Sequence, residues 1–298
     1  MHTLITGGSG FIGRALCTSL VADRQRVTVL TRNIDRARSR LPADVTLIDR
    51  LDRARDVDTV INLAGENLAA GRWTEARKRA FFESRIGTTQ RVNAWIGSLS
   101  RRPSVLISGS AIGRYGPRGD EQLDENSAAG NDFSARLCAA WEAEALKAEA
   151  LDVRVCCLRT GIVLGADGGA LAKMLLPFRL GLGGPMGDGR QWMSWIARDD
   201  LVALIRWLME TSTAHGAFNG TSPRPVTNAE FAQALGRALH RPALLRTPAF
   251  ALRLLFGEMA DLLVRGQRVL PRRAIAQGFA FQYPGLTSAL SALIPRAR

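Results

Sequence analysis

Short apolar runs alternate with longer amphipathic stretches through the first half of this chain. T-L-I-T (residues 3–6), R-V-T-V-L-T (26–31), residues 45–48, T-V-I-N-L (59–63), S-V-L-I-S (104–108) and V-R-V-C-C-L (153–158) read as strands, being short and rich in β-branched residues. Between them, residues 11–22, 74–99 and 131–145 place apolar side chains at helical spacing, with Thr74 as the N-cap of the longest. Strands apolar at successive positions are buried on both faces. Separated by helices, they predict an α/β fold: a doubly wound parallel sheet with helices on both faces.

After Arg159 the texture changes. Glycine and proline become dense over residues 161–189, residues 192–196 resemble a strand, and 199–209, 228–239 and 248–256 read as helices. The pattern divides the chain into a larger domain, residues 1–215, and a smaller C-terminal α/β lobe, residues 216–298. Elements after residue 160 are expected to interleave partly with that lobe.

The totals narrow the class. No run approaches the roughly 18 apolar residues that cross a bilayer. The opening M-H-T-L-I-T-G-G lacks the basic region and cleavage site of a secretory signal, so a cytoplasmic protein with no membrane partner is expected. The cysteines, Cys17, Cys138, Cys156 and Cys157, sit in apolar elements and read as buried reduced thiols. With only His2, His215 and His240, all far apart in the chain, no metal site is expected.

The formal charge of +13 comes almost wholly from arginine, since only Lys78, Lys147 and Lys173 are lysines among 40 basic residues. Residues 237–298 hold ten arginines against Glu258 and Asp261, a net +8. These arginines are interspersed with Leu, Ala and Pro and lack aromatic stacking partners. A solvated basic face is favoured over a nucleic-acid site.

The strongest local motif is T-G-G-S-G-F-I-G, residues 6–13, which spaces Gly7, Gly10 and Gly13 as G-x-x-G-x-x-G between the first strand and the first helix. Glycines there permit a tight turn, let backbone approach a pyrophosphate and seat the helix on the sheet. The helix start then offers free N–H groups and partial positive charge to phosphates. The end of the second strand selects the dinucleotide. An NAD site carries an acid about 20 residues past the glycines to bind ribose hydroxyls. This chain has Thr31-Arg32-Asn33. A guanidinium cannot accept from a 2′-hydroxyl but pairs with a 2′-phosphate, so NADP(H) is expected rather than NAD(H).

N-L-A-G (residues 62–65), S-G-S-A-I-G-R-Y-G (108–116), R-T-G-I-V-L-G (159–165) and W-I-A-R-D-D (195–200) follow that turn. Motifs in this order resemble those of extended short-chain dehydrogenase/reductases. The chain is most similar to epimerase-like members of the NAD-dependent epimerase/dehydratase type that carry a C-terminal extension. N-L-A-G-E-N, S-R-x-x-T-T-Q (84–90), L-P-F-R-L-G-L-G-G-P (176–185) and G-Q-R-V-L-P (266–271) carry that likeness, which spans essentially the whole chain. The resemblance implies a Rossmann domain that binds NADP(H). Gly7, Gly10, Phe11, Ile12 and Gly13 would meet the pyrophosphate, and Thr31 and Arg32 the adenosine phosphate end. Leu63, Ala64 and Gly65 would present backbone, Arg85 would approach from the long helix, and Ser108 would lie on the fifth strand.

Members of that superfamily hold a Tyr-x-x-x-Lys pair on the helix after the fifth strand, where tyrosine exchanges the substrate proton. Here that helix reads N-D-F-S-A-R-L-C-A-A-W-E-A-E-A, with Phe133 and Leu137 at the two positions, or Ser134 and Cys138 one step along. The chain's tyrosines, Tyr115 and Tyr283, have Gly119 and Thr287 four residues on, so the pair is absent from the sequence. A phenyl ring cannot transfer a proton, nor can an isobutyl group shift a neighbour's pKa. The remaining candidates are Ser110, at the superfamily's serine position, Tyr115, and Glu66 just past the fourth strand at the expected ligand crevice. Asp199 and Asp200 read first as helix caps. Two functional readings stay open. One is an NADP(H)-dependent oxidoreductase or epimerase-like enzyme of altered mechanism, acting on a small molecule such as a nucleotide-sugar. The other is a non-catalytic NADP(H)-binding regulatory or redox-sensing protein. Residues 74–99 and 131–145 form the implied homodimer surface.

Overall fold

The chain, described over residues 1–294, is seen in a computed structural model. The apolar runs of the first half form β1 (His2–Thr6), β2 (Arg26–Leu30), β3 (Thr46–Ile48), β4 (Thr59–Asn62) and β5 (Val105–Ala111). A two-residue β6 (Gln122–Leu123) precedes β7 (Arg154–Thr160) and β8 (Ile162–Gly165). Short β9 (Trp192–Met193), β10 (Trp195–Ala197), β11 (Gly216–Gly220), β12 (Val226–Thr227) and β13 (Arg268–Val269) complete the strands.

Seven strands pair in one sheet of order β11-β7-β5-β4-β1-β2-β3, every neighbouring pair parallel. The chain runs outward from β1 to β3, then returns to β4 on β1's other side. Between β1 and β4 lies the crevice where open α/β sheets bind ligands.

Helices α1 (Phe11–Ala22), α2 (Ile34–Arg38), α3 (Glu75–Phe82), α4 (Thr88–Gly97), α5 (Phe133–Leu146), α6 (Gly169–Arg179) and α7 (Arg198–Glu210) flank the sheet or follow it. Leu16, Leu20, Leu201, Leu204 and Ile205 of α1 and α7 pack on one face with Ile5, Val29 and Ile107. Val92, Trp95, Ile96 and Ala145 of α4 and α5 pack on the other with Leu4, Val60 and Leu106. This double cover explains why the strands are apolar at successive positions.

The remaining helices are α8 (Asn228–Leu239), α9 (Ala249–Phe256), α10 (Asp261–Val264), α11 (Arg272–Ala276) and α12 (Leu286–Leu293). A separate core joins Phe178 of α6, Trp195, Phe231 and Leu235 of α8, and Leu286 and Leu290 of α12. The large sheet's edge strand β11 begins at Gly216, immediately past the 215/216 division.

Several elements differ from the sequence pattern. The long helix expected over residues 74–99 is broken by a π-helical turn, Glu83–Gly87, between α3 and α4. Amphipathic spacing tolerates one wide turn, so the pattern runs on unbroken through it. Thr74 does cap α3, accepting from the Arg77 amide at 3.3 Å. The expected strand at 192–196 is two pieces parted at buried Ser194, whose hydroxyl donates to the Gln267 carbonyl. The stretch 161–189 contains β8 and α6, hidden by its glycines and by Pro177 inside the helix. Finally, β5 continues past Ser108 to Ala111, which carries Ser110 into the sheet.

Candidate functional site

The site begins where β1 delivers the glycine turn to α1. Gly7 holds φ +71°, and a Cβ there would stand 2.6 Å from the Leu63 carbonyl oxygen. Only glycine lets the turn and the loop after β4 approach so closely. A Cβ on Gly10 would meet nothing nearer than the Gly7 carbonyl at 3.1 Å, so the outer side of the turn is open. No side chain caps the start of α1, which leaves the first-turn amides facing that opening.

The side chains beside the turn point away from it. The Phe11 ring packs into a cage made by Gly165, Gly168 and Gly169, under the Arg198 guanidinium at 4.9 Å. Ile12 packs against the core. What Phe11, Ile12 and Gly13 can offer a ligand is backbone.

Across the crevice, Thr6 donates its hydroxyl to Asn62 Oδ1 at 2.6 Å, and Thr6 Oγ1 accepts from the Ala64 amide at 3.3 Å. Asn62 Nδ2 donates to Thr89 Oγ1 at 2.8 Å, and Thr89 donates to the Arg85 carbonyl at 2.7 Å. This chain of bonds ties the loop at Leu63, Ala64 and Gly65 to the π-helical turn. Arg85 is thereby turned inward. It is buried, donates to the Glu66 carbonyl at 3.0 Å and to the Phe81 carbonyl, and lies over Trp141 at 5.3 Å. No carboxylate pairs with it among the described residues, and burial lowers its pKa.

At the carboxyl end of β2, Thr31 lies just past the strand, its amide held by the Ile48 carbonyl. Asn33 caps α2, accepting from the Arg36 amide at 2.8 Å. Arg32 between them is exposed and makes no hydrogen bond or ion pair among the described residues, so its fork is free.

In the middle of β5, Ser108 is fully buried, its hydroxyl turned to the Gly109 carbonyl at 3.4 Å. The strand's continuation seals the side chain away from the crevice. Ser110 is also buried and donates to Glu142 Oε1 at 2.7 Å. Glu142 on α5 receives both Nε and Nη2 of Arg159 at 2.8 Å, with Arg114 at 3.4 Å. Burial pushes the Glu142 carboxyl up, but the Arg159 bonds and charge, with Ser110 and Arg114, outweigh it and hold it below the ordinary carboxylate value.

Tyr115 is fully buried. Its hydroxyl donates to Asn219 Oδ1 at 2.7 Å and accepts from Arg159 Nη1 at 2.9 Å, and burial pushes it up to about 12. The phenol is thus sewn into a structural network behind the crevice. Glu66, by contrast, is half-buried with a carboxylate that pairs with nothing among the described residues. Its backbone alone is tied, the amide donating to Ser84 Oγ at 3.0 Å.

Helix α5 separates two stripes. Phe133 joins Trp73, Phe81 and Phe82 in an aromatic cluster with Lys78 over its ring, and Leu137 is buried. The stripe of Ser134, Cys138 and Glu142 faces the end of β5 and the turn after it: Glu142 accepts from Ser110, and a Cβ on Gly113, just past the strand, would meet Ser134 at 3.1 Å and Cys138 at 4.0 Å. Burial pushes the Cys138 thiol up to about 11, with the Glu142 charge adding to it. Glu142, Arg159, Arg114 and Asn219 were not singled out from the sequence. The visible signal was a carboxylate one turn beyond Cys138 in a largely apolar run that also holds Glu144.

Asp199 and Asp200 do open α7, but no side chain caps it. Asp200 is buried and accepts the amides of Gln282 and Tyr283 at 2.7 and 3.0 Å. It fastens the C-terminal segment rather than its own helix, a contact 82 residues away in sequence that no local pattern signals.

A family model described as "NAD dependent epimerase/dehydratase family" matches residues 3–219, and a domain of unknown function, DUF1731, matches residues 247–293. The chain belongs to the NAD dependent epimerase/dehydratase family. It is 42% identical to the chloroplastic epimerase family protein SDR39U1 homolog of Arabidopsis thaliana, over 99% of this chain and 87% of that one. The crystal structure of human epimerase family protein SDR39U1 (isoform2) with NADPH is similar at a TM-score of 0.89 and 35% identity, covering 98% of this chain and 99% of that one. The nucleoside-diphosphate sugar epimerase of Corynebacterium glutamicum is similar at a TM-score of 0.79 and 29% identity, over 98% of this chain and 58% of that one. No described helix is long and apolar enough to cross a membrane.

Proposed function

We propose that the chain is a cytoplasmic, NADP(H)-binding, epimerase-like short-chain dehydrogenase/reductase that acts on a small molecule without the Tyr-x-x-x-Lys pair. The open outer side of Gly10 at the uncapped start of α1 carries this reading. The free Arg32 fork suits a 2′-phosphate, and the human relative is a complex with NADPH. Backbone amides of Phe11, Ile12 and Gly13 would hold the pyrophosphate, Thr31 and Arg32 the adenosine phosphate, and Leu63, Ala64, Gly65 and Arg85 the crevice wall. Ser108, its side chain buried, would contribute through its backbone.

Bound dinucleotide would supply the hydride chemistry. Ser110, its proton given to Glu142, presents lone pairs and would accept from a substrate hydroxyl, orienting it. Glu66 would take or return the proton, as the one unpaired carboxylate of the three acids and hydroxyls considered. Tyr115 would act by positioning Arg159. Residues from 216 onward, apart from β11, which belongs to the large sheet, would form the substrate-side lobe, and the nucleotide-sugar class follows the Corynebacterium relative's name. The chain is incubated with NADPH and a carbonyl panel, and with UDP-sugars. Turnover lost in both Ser110→Ala and Glu66→Gln supports the assignment, and turnover unaffected by these changes removes both residues from it.

A second reading is a non-catalytic NADP(H)-binding regulatory or redox-sensing protein. It is favoured by the Tyr115 and Ser110 hydroxyl protons being committed to Asn219 and Glu142. Bound NADPH that no metabolite extract oxidises would select it.

A further inference from the structure

Exposed apolar side chains are not scattered over this molecule. Nine of the thirteen large ones among the described residues fall in two stretches, 176–182 and 244–262. The stretches are one surface. The Leu245 amide donates to the Gly183 carbonyl, Thr247 to Pro185, and Gly187 back to Thr247, so the chain after α6 runs beside the chain leading into α9. Leu180, Leu182, Leu244 and Leu245 project from this pair at 52–83% exposure. Directly beyond, Phe250 and Leu254, one helical turn apart on α9, are 73% and 72% exposed.

Helix α9 is fixed in this attitude. Leu252 and Met259 are buried beneath it, and Arg72 donates to the carbonyls of Leu254 and Leu255 at its end. Lys78 pairs with Glu258 at 2.6 Å just past it. One side is docked while the other holds a phenyl and an isobutyl group in water. Monomeric soluble proteins seldom expose so much contiguous apolar surface without a use for it.

The charge around the face decides what covers it. Arg179, Arg241, Arg246 and Arg253 are all exposed on or beside these segments; the acids there are taken, Glu258 by Lys78 and Asp261 by Arg253 and Arg265, which leaves Arg179, Arg241 and Arg246 without a carboxylate among the described residues. Pairing this face with a second copy would oppose arginine to arginine, whereas an anionic lipid surface complements it. Apolar side chains that enter the acyl boundary, with arginines at headgroup level, are how a protein lies on a membrane without crossing it.

We propose that the face built from residues 176–187 and 244–262 docks on anionic phospholipid bilayers, with Phe250 and Leu254 inserted and the arginines on the headgroups. This stands apart from the cofactor reading, because no residue of the face lies at the glycine turn. It revises the expectation of no membrane partner, which rested on the absence of a spanning segment.

The test floats the full chain with vesicles of phosphatidylcholine alone and of phosphatidylcholine mixed with phosphatidylglycerol. Capture by the mixed vesicles only, weakened by salt, is expected. Arg246→Ala should weaken partitioning about fivefold, and Phe250→Ser/Leu254→Ser by roughly a hundredfold. Both changes are at exposed positions, and unaltered melting would show that the variants fold. Absence of capture, or capture undiminished in the Phe250→Ser/Leu254→Ser variant, would overturn the proposal. So would a dimer in sedimentation velocity, without vesicles, that this variant dissolves, since the face would then belong to a second copy.

Discussion

Ser110 gives its hydroxyl proton to Glu142, and Glu142 is gripped on both oxygens by Arg159. The carboxylate is the acid bonded to the serine of β5, yet two arginines hold it ionised. A base stabilised in this way is a poor acceptor of a substrate proton, which is why the relay's replacement lies elsewhere or does not exist.

Removing that carboxylate strands a buried guanidinium. Glu142→Gln is expected to cost about 3–5 kcal/mol, and the double change Glu142→Leu/Arg159→Met to recover most of it, because a buried pair adds little beyond what apolar packing supplies. Urea unfolding of the three proteins at neutral pH measures both quantities.

The same pair sets a pH dependence. The folded carboxyl of Glu142 lies below its ordinary value of 4.5, so the unfolded chain takes up the proton first as pH falls. Its stabilising contribution is therefore fully present above pH 4.5 and is lost as pH drops through the lower folded value. Wild type should lose stability over this window more steeply than Glu142→Gln, as read by urea midpoints across acidic buffers.

The glycine turn separates folding from binding. Gly7→Ala meets the Leu63 carbonyl and a positive φ, and is expected to destabilise by about 2–4 kcal/mol. Gly10→Ala meets only the Gly7 carbonyl at 3.1 Å and should keep stability within about 1 kcal/mol, while weakening dinucleotide binding by roughly tenfold or more. Thermal melts paired with cofactor titration distinguish the two.

Asp200 tests the fastening of the C-terminal segment. Asp200→Asn leaves one amide of Gln282 or Tyr283 facing an N–H₂ group, at a cost of about 1–3 kcal/mol. Hydrogen exchange should rise at residues 282–283 while the strands of the sheet stay protected.

Most of the sheet was legible because its strands carry consecutive apolar residues and its glycine turn sits between strand and helix; the edge strand β11, G-A-F-N-G, lacks such a run and was not read as a strand. The glycine turn was legible for the same reason, since Gly7 and Gly13 are demanded by local geometry. What escaped the sequence was non-local. Amphipathic periodicity passed through the π-helical turn that buries Arg85, and nothing local to Glu142 on α5 signals that Arg159 of β7 meets it. Tyr115, the one tyrosine near the carboxyl end of β5, proved to be buried against Asn219, a partner 104 residues away. Side chains whose partners lie far along the chain leave no period to read.

The most direct test of the central claim is calorimetric titration of the apo protein with NADPH and with NADH, in the wild type and in Arg32→Ala. The account predicts tighter binding of NADPH, with the preference over NADH lost in Arg32→Ala while NADH binding stays unchanged. Equal or tighter binding of NADH by the wild type, or a preference for NADPH that survives the loss of Arg32, would contradict it.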